Sequence, residues 1–270
     1  MSEQAVLQVT YNSRDLGGLP ADDGGTITPR TVFRSDALAG LTDDGLQSLT
    51  DLNIGTVVDL RTDGERARAA DRLPTDGSVR FLPLPVQGGA MDEMVQKLLP
   101  TNDDTVLSEE QLTAIVDQVP TLEELYLAIL AGSAPQFAEL ARAVIDAAET
   151  ERPGVLFHCT AGKDRTGLAA ALLLLVAGTP REVIVDDYIQ TGKNLAGGLA
   201  ETLTALITSM GVPLTPRLKT LATESPASAI EAAMDWVSSE HGDAAGYLGT
   251  GGMSVDELDD LKRVLTTPAR

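Results

Sequence analysis

Cys159 and Arg165 stand six positions apart in the stretch His158-Cys159-Thr160-Ala161-Gly162-Lys163-Asp164-Arg165-Thr166-Gly167, and Cys159 is the only cysteine of the chain. A short apolar run, Gly154-Val155-Leu156-Phe157, precedes it, and a long apolar run from Thr166 to Ala177 follows. This order predicts a buried strand, a tight loop and a helix N-terminus, with the thiol at the turn. Successive backbone N–H groups of such a loop (Thr160, Ala161, Gly162, Lys163) point inward, and the helix dipole adds partial positive charge. An anion of phosphate size fits that cradle, and the same field favours the thiolate of Cys159 as a nucleophile. The planar fork of Arg165 can bind two phosphoryl oxygens and follow them as they flatten in the transition state. Gly162 allows close backbone approach, Gly167 relieves crowding where the helix packs under the loop, and Thr166 can hydrogen-bond the sulfur.

The elements that must hold this loop read as an α/β alternation from about residue 25 onward. Thr26–Ile27, Thr31–Phe33, Thr56–Leu60, Arg80–Leu84 and Gly154–Phe157 have the character of short strands. Thr42 can cap a helix with Leu46, Leu49 and Leu52 on its apolar face. Further helices are predicted at Leu122–Leu130, Pro135–Ala148, Thr166–Ala177 (ended by Gly178), Pro180–Gln190, Leu199–Met210, Ser225–Ser239 and Ser254–Leu265. Residues 85–120 form a longer, weaker stretch with two amphipathic runs, Met91–Leu99 and Ser108–Val119, the second opening on the capping box Ser108-Glu109-Glu110-Gln111. We read it as a helical, lid-like insertion in a single domain spanning 1–270.

Composition narrows the function classes. The chain has 270 residues, 43% hydrophobic, and carries 20 Lys+Arg against 40 Asp+Glu, a formal net charge of −20. A surface that acidic argues against nucleic acid or an anionic membrane as partner, but not against a phosphate site acting over a few ångströms. One cysteine and two histidines exclude a disulfide framework and a thiolate- or histidine-rich metal site, so no metal or cofactor is expected. The N-terminus lacks a signal-peptide pattern, and no apolar run is long enough to insert stably in a membrane. The expected location is cytoplasmic, or exported without a recognisable signal.

Cys-x5-Arg followed by Thr-Gly, and preceded by Val155-x-x-His158, resembles the signature loop of cysteine-dependent protein-tyrosine phosphatases. The Gly-Lys-Asp-Arg-Thr version is similar to that of the atypical bacterial tyrosine phosphatases, whose members have dual-specificity and phosphoinositide-directed activities. Asn12-Ser13-Arg14-Asp15-Leu16-Gly17-Gly18 resembles that family's N-terminal Asn-Phe-Arg-Asp-Leu-Gly-Gly, with Ser13 in place of Phe. Phe33-Arg34-Ser35, Val58-Asp59-Leu60-Arg61 and Asp187-Tyr188 also stand in family order. The resemblance implies a central, largely parallel sheet flanked by helices, the cysteine-dependent phosphatase fold. It implies hydrolysis of phosphotyrosine, with phosphoserine, phosphothreonine or phosphoinositides as further substrates, through a phosphocysteine intermediate.

Within that frame His158 is expected to brace the loop by bonding backbone beneath it. Arg14 and Asp15 pair with each other or with other loops, and Asp59 and Arg61 form a structural salt bridge at a strand's C-terminal end. Many tyrosine phosphatases take their general acid from an Asp on a separate movable loop. The comparable stretch here, Phe81-Leu82-Pro83-Leu84-Pro85-Val86-Gln87, has no carboxylate, and the nearest downstream are Asp92 and Glu93. Asp164, inside the loop, is therefore the leading candidate for the proton donor. Lys163, on the loop rim, would meet a second phosphate on an inositol ring or an acidic flank of a protein. Two other classes compete: a catalytically silent phosphate-binding module, against which the intact Cys159, Arg165 and Thr166 argue, and rhodanese-type sulfur transfer, which the Gly-Lys-Asp-Arg-Thr-Gly continuation fits poorly.

Overall fold

The computed structural model of the chain describes residues 5–88, 119–196, 198–209 and 214–269. Five strands make the main sheet: β1 (Arg14–Asp15), β3 (Val32–Ser35), β4 (Ile54–Asp59), β5 (Arg80–Pro83) and β6 (Gly154–His158), in the order β1-β3-β6-β4-β5. All neighbours run parallel except the short edge strand β1 against β3. A second pairing joins β2 (Thr26–Ile27) to β7 (Thr266–Thr267), antiparallel. The expected mixed α/β architecture with a largely parallel sheet is what the chain adopts.

β6 is central, and every one of its residues is buried. Strands covered on both faces read as continuous apolar runs, as Val155-Leu156-Phe157 and Val57-Val58 do. Alternate side chains then serve different layers. Leu156, Val57 and Phe33 pack with Leu38, Leu41 and Leu49 on the side of helix α1 (Asp43–Asp51). Val155, Phe157, Val58 and Val32 face the thicker helical layer on the other side.

That layer is built from α3 (Leu122–Ala147), α4 (Asp164–Val176), α5 (Arg181–Leu195), α8 (Ala227–His241), α9 (Ala244–Thr250) and α10 (Val255–Leu265). The two helices expected around residues 122–148 are one element broken at Ser133 (φ −132°), just before Pro135, so the sequence break survives as a kink. α4 is buried from Asp164 through Leu174, as a helix apolar all round must be. Gly178 (φ +75°) ends it as expected, with Thr179 N–H bonding Leu174 O and Gly178 N–H bonding Leu175 O, both C-terminal carbonyls thereby satisfied. The capping box at Ser254 forms at the start of α10.

Three short helices have no counterpart in the sequence expectations: α2 (Asp63–Arg68), α7 (Pro216–Thr223) and α9. α6 (Leu199–Ser209) lies between α5 and α7 in the chain. The expected insertion and its amphipathic runs, with Asp92 and Glu93, fall almost entirely outside the described residues. Among the described residues no helix is long and apolar enough to cross a membrane.

The register brings function to one edge. Ser35, His158 and Asp59 stand side by side at the C-terminal ends of β3, β6 and β4. Open parallel sheets bind ligands at that edge.

Candidate active site

Cys159 is the first residue after β6 and is 2% exposed. Between it and α4 the chain turns so that its carbonyls face the protein. Thr160 O accepts from Ala37 N–H at 3.1 Å, and Gly162 O accepts from both Asn12 Nδ2 and Arg34 Nη2 at 2.8 Å. With the carbonyls tied back in this way, the N–H groups of residues 160–163 make no hydrogen bonds among the described residues. This is the donor-lined concavity expected at the head of a buried helix. Gly162 has φ +64°, and a Cβ there would lie 2.5 Å from Ser35 O and 2.7 Å from Asp36 N. Only glycine can make this turn against β3.

Arg165 is 3% exposed and meets Glu65 along both terminal nitrogens, Nη1 to Oε2 at 2.6 Å and Nη2 to Oε1 at 2.7 Å. Glu65 is the third residue of α2. Its Oε2 also accepts from Thr62 N–H at 2.9 Å, completing a capping box, and its Oε1 accepts from Thr160 Oγ1 at 2.6 Å. Burial pushes the Glu65 carboxyl up, but the Arg165 guanidinium outweighs it and holds the pKa at about 2. Burial likewise opposes the Arg165 charge, and Glu65 more than restores it. Arg165 Nε and Thr166 Oγ1 are buried with no hydrogen-bond partner among the described residues. The expected Thr166–sulfur bond is therefore not formed in this structure. Each unmet donor costs about 1–3 kcal/mol, which a phosphoryl oxygen or a thiolate at hydrogen-bond distance would recover.

Beneath the loop lies a buried charged layer. His158 is fully buried, its Nδ1 3.1 Å from Cys159 O and its Nε2 3.0 Å from Asp71 Oδ2, an ion-pair contact rather than an aligned hydrogen bond. Arg61 grips Asp59 through Nε (3.0 Å) and Nη2 (2.8 Å), and the same Nη2 reaches Asp71 at 2.8 Å. Burial pushes the His158 imidazolium down, yet Asp71 and Asp59 prevail and raise its pKa above the usual value. Asp59, Asp71 and His158 could offer three atoms to a metal ion. Arg61 already bonds both carboxylates, so a cation there would have to displace a buried guanidinium.

A second bracket holds the loop from the β1–β3 side. Arg14 bonds Asp187 Oδ1 through Nε (2.7 Å) and Asn12 Oδ1 through Nη1 (2.6 Å). Arg34 Nη1 reaches the other Asp187 oxygen at 2.5 Å. Arg14 thus pairs across to α5 and not with Asp15, whose carboxylate caps the N–H groups of Gly17 and Arg30. Burial raises the Asp187 carboxyl, but the two guanidinium groups win and lower it. Burial and the neighbouring Arg14 bring Arg34 down to about 10.

Asp164 opens α4 with its side chain 12% exposed. Its Oδ1 accepts from Tyr126 OH at 2.9 Å and lies 3.4 Å from Lys163 Nζ. Lys163 departs from expectation. It is 1% exposed and donates to Leu221 O of α7 at 2.5 Å, so it is a buried tie between loop and α7 and not a rim cation.

The structure therefore brings together Cys159, the loop donors, Arg165, Asp164 and His158, with Arg14 and Asp59 as outer braces. It adds Glu65, Asp71, Arg34, Asn12, Asp187, Tyr126 and Tyr188. Asn12, Arg34, Asp187 and Tyr188 lie in stretches already singled out for family order. Glu65, Asp71 and Tyr126 do not.

Residues 5–267 match the model of the tyrosine phosphatase family. The chain belongs to the tyrosine phosphatase family. Membership makes it an enzyme, a protein-tyrosine phosphatase. It is 29% identical to the triple specificity protein phosphatase PtpB of Mycobacterium tuberculosis, over 96% of this chain and 98% of that one. It is 33% identical to a tyrosine-protein phosphatase of Nostoc commune, over 64% of this chain and 52% of the relative. Among solved structures, P. aeruginosa TpbA is a loose likeness, 17% identical with a TM-score of 0.33 over 85% of this chain and 91% of that one.

Proposed function

We propose that the enzyme hydrolyses phosphotyrosine through a phosphocysteine intermediate, with Cys159 as nucleophile, Arg165 and the loop amides as phosphate ligands, and Asp164 as general acid. The observation that carries this reading is the position of Cys159 at the head of a donor-lined loop whose carbonyls are tied back, beside an Arg165 already fixed in plane by Glu65. The thiolate attacks phosphorus, the ester P–O bond breaks, and the departing oxygen takes the Asp164 proton. Water then attacks phosphorus, the S–P bond breaks, phosphate leaves and the proton returns to Asp164. The amides and Arg165 match the charge of the flattened phosphoryl group better than that of the ground state.

Phosphoserine, phosphothreonine and phosphoinositides extend the substrate range in this proposal, on the strength of similarity to a relative named for triple specificity. The buried Lys163 lends no support to phosphoinositides in the conformation seen, because its cation is committed to Leu221 O.

Cys159→Ser tests the chemistry. An alkoxide is not available at neutral pH, so turnover should vanish while phosphate-ligand affinity stays within about tenfold. Residual activity above about one per cent of wild type would count against covalent catalysis by this thiol. A panel of phosphotyrosine, phosphoserine and phosphothreonine peptides with soluble phosphoinositides then ranks the substrates.

A further inference from the structure

Two buried phenols that the mechanism leaves unused reach Asp164 from separate helices. Tyr126 on α3 is fully buried and Tyr188 on α5 is 1% exposed; their rings meet edge to face at 6.1 Å and 85°. Their hydroxyls are 2.7 Å apart. Tyr126 OH donates to Asp164 Oδ1, and a phenol has one proton to give. Tyr188 must therefore be the donor in the bond between them. The result is a directed chain, Tyr188 to Tyr126 to Oδ1. Lys163 Nζ, 3.4 Å from the same oxygen, adds a positive charge on that side. Asp164 Oδ2 has no hydrogen-bond partner among the described residues.

We infer that Tyr126 and Tyr188 are positioning residues that decide which carboxyl oxygen of Asp164 delivers the proton: Oδ1 is occupied as an acceptor, so the acid proton resides on Oδ2. The inference rests on the reading of Asp164 as general acid. A proton on Oδ1 would point at the Tyr126 phenol hydrogen, whereas Oδ2 accepts no hydrogen bond among the described residues. Burial pushes both phenols up, and the Asp164 charge adds to it, which favours their protonated forms. They hold the acid in place and do not relay protons. The groups facing Asp164 are Tyr126 from α3, Tyr188 from α5, Lys163 from the loop and Arg165 from α4; α7 offers only the Leu221 carbonyl that Lys163 binds. Close packing fixes Tyr188, since a Cβ at Gly167 would lie 3.1 Å from its ring.

The test is Tyr126→Phe in the full chain, with Tyr188→Phe as a second variant, across a series of alkyl and aryl phosphates and over pH. For alkyl phosphates kcat should fall about tenfold in Tyr126→Phe, the effect of one hydrogen bond to a charged group. KM should hold, and p-nitrophenyl phosphate should lose less than about threefold because its oxygen departs with little protonation. The rate should depend more steeply on leaving-group pKa. The basic limb of the kcat profile should move to higher pH, because removing a donor from a carboxylate favours its protonated form. Tyr188→Phe should show the same pattern at about threefold. Equal loss on all leaving groups with an unmoved basic limb in both folded variants would overturn the inference and leave the phenols with a packing role. Asp164→Asn separates the two levels. If it fails to steepen the leaving-group dependence, the acid assignment falls; if it does so while the phenol variants do not, only the chain of phenols falls. In the Asp164→Asn background, Tyr126→Phe should cause no further loss.

Discussion

Glu65 fixes the plane of the Arg165 fork before any substrate arrives, since it bonds both terminal nitrogens and is itself held by Thr62 and Thr160. In the proposed reaction, an arginine that binds two phosphoryl oxygens as the group flattens gains from such preorganisation. Glu65→Gln keeps the size but loses the charge and one of the two acceptors. We expect kcat/KM to fall about ten- to a hundredfold, read by steady-state kinetics, with near-normal protein folding at neutral pH. A loss under about twofold would reduce Glu65 to a helix cap. The same residue should leave a mark on acid stability. Its folded pKa, about 2, lies below its ordinary 4.5, so the stability that the pair contributes is whole above pH 4.5 and is lost as pH falls through about 2. Acid unfolding of Glu65→Gln should be shallower in that window. At this scale legibility followed contiguity. Cys159, Arg165 and Asp164 share one ten-residue run and could be assigned together. Glu65 and Tyr126 could not, because their partners lie 100 and 38 residues away.

The loop works as an element because four others tie back its carbonyls and side chains: β3 through Arg34, the N-terminal segment through Asn12, α2 through Glu65, and α7 through Leu221 O, while Asp187 of α5 holds Arg34 from behind. Gly162→Ala tests the turn itself. A left-handed residue costs about 1–2 kcal/mol without glycine, and the added carbon would press on β3 backbone that cannot step aside. The expected outcome is a Tm lowered by a few degrees and kcat/KM lowered more than tenfold, since displaced amides no longer converge. An unchanged kcat/KM would mean the loop tolerates a different path. Most elements were legible from period and caps, because β4 and β6 carry short apolar runs and α4 is a long apolar one that Gly178 stops. The short helices α2, α7 and α9 were not, since six to eight residues hold too few turns for a period to show. The direction of Lys163 was hidden for the same reason, its partner being a carbonyl of the unforeseen α7.

At the scale of the whole molecule, a net charge of −20 surrounds a site that we propose binds a phosphate ester dianion. The two act over different ranges. Loop amides and Arg165 work at about 3 Å, within the Debye length of about 8 Å at 0.15 M salt, whereas the surface field reaches about 30 Å at 0.01 M. Raising ionic strength should therefore relieve repulsion on approach without weakening the grip at the site. For a phosphotyrosine peptide with acidic flanks, kcat/KM should rise about two- to fivefold from 0.01 to 0.15 M salt while kcat stays level. A peptide with basic flanks should respond in the opposite direction, because screening removes its attraction. This predicts that the enzyme discriminates by the charge around the phosphate at low salt and by the phosphate itself at high salt. If the acidic peptide instead loses kcat/KM as salt rises, a local positive surface near the loop dominates its approach, and the long-range field does not set substrate preference.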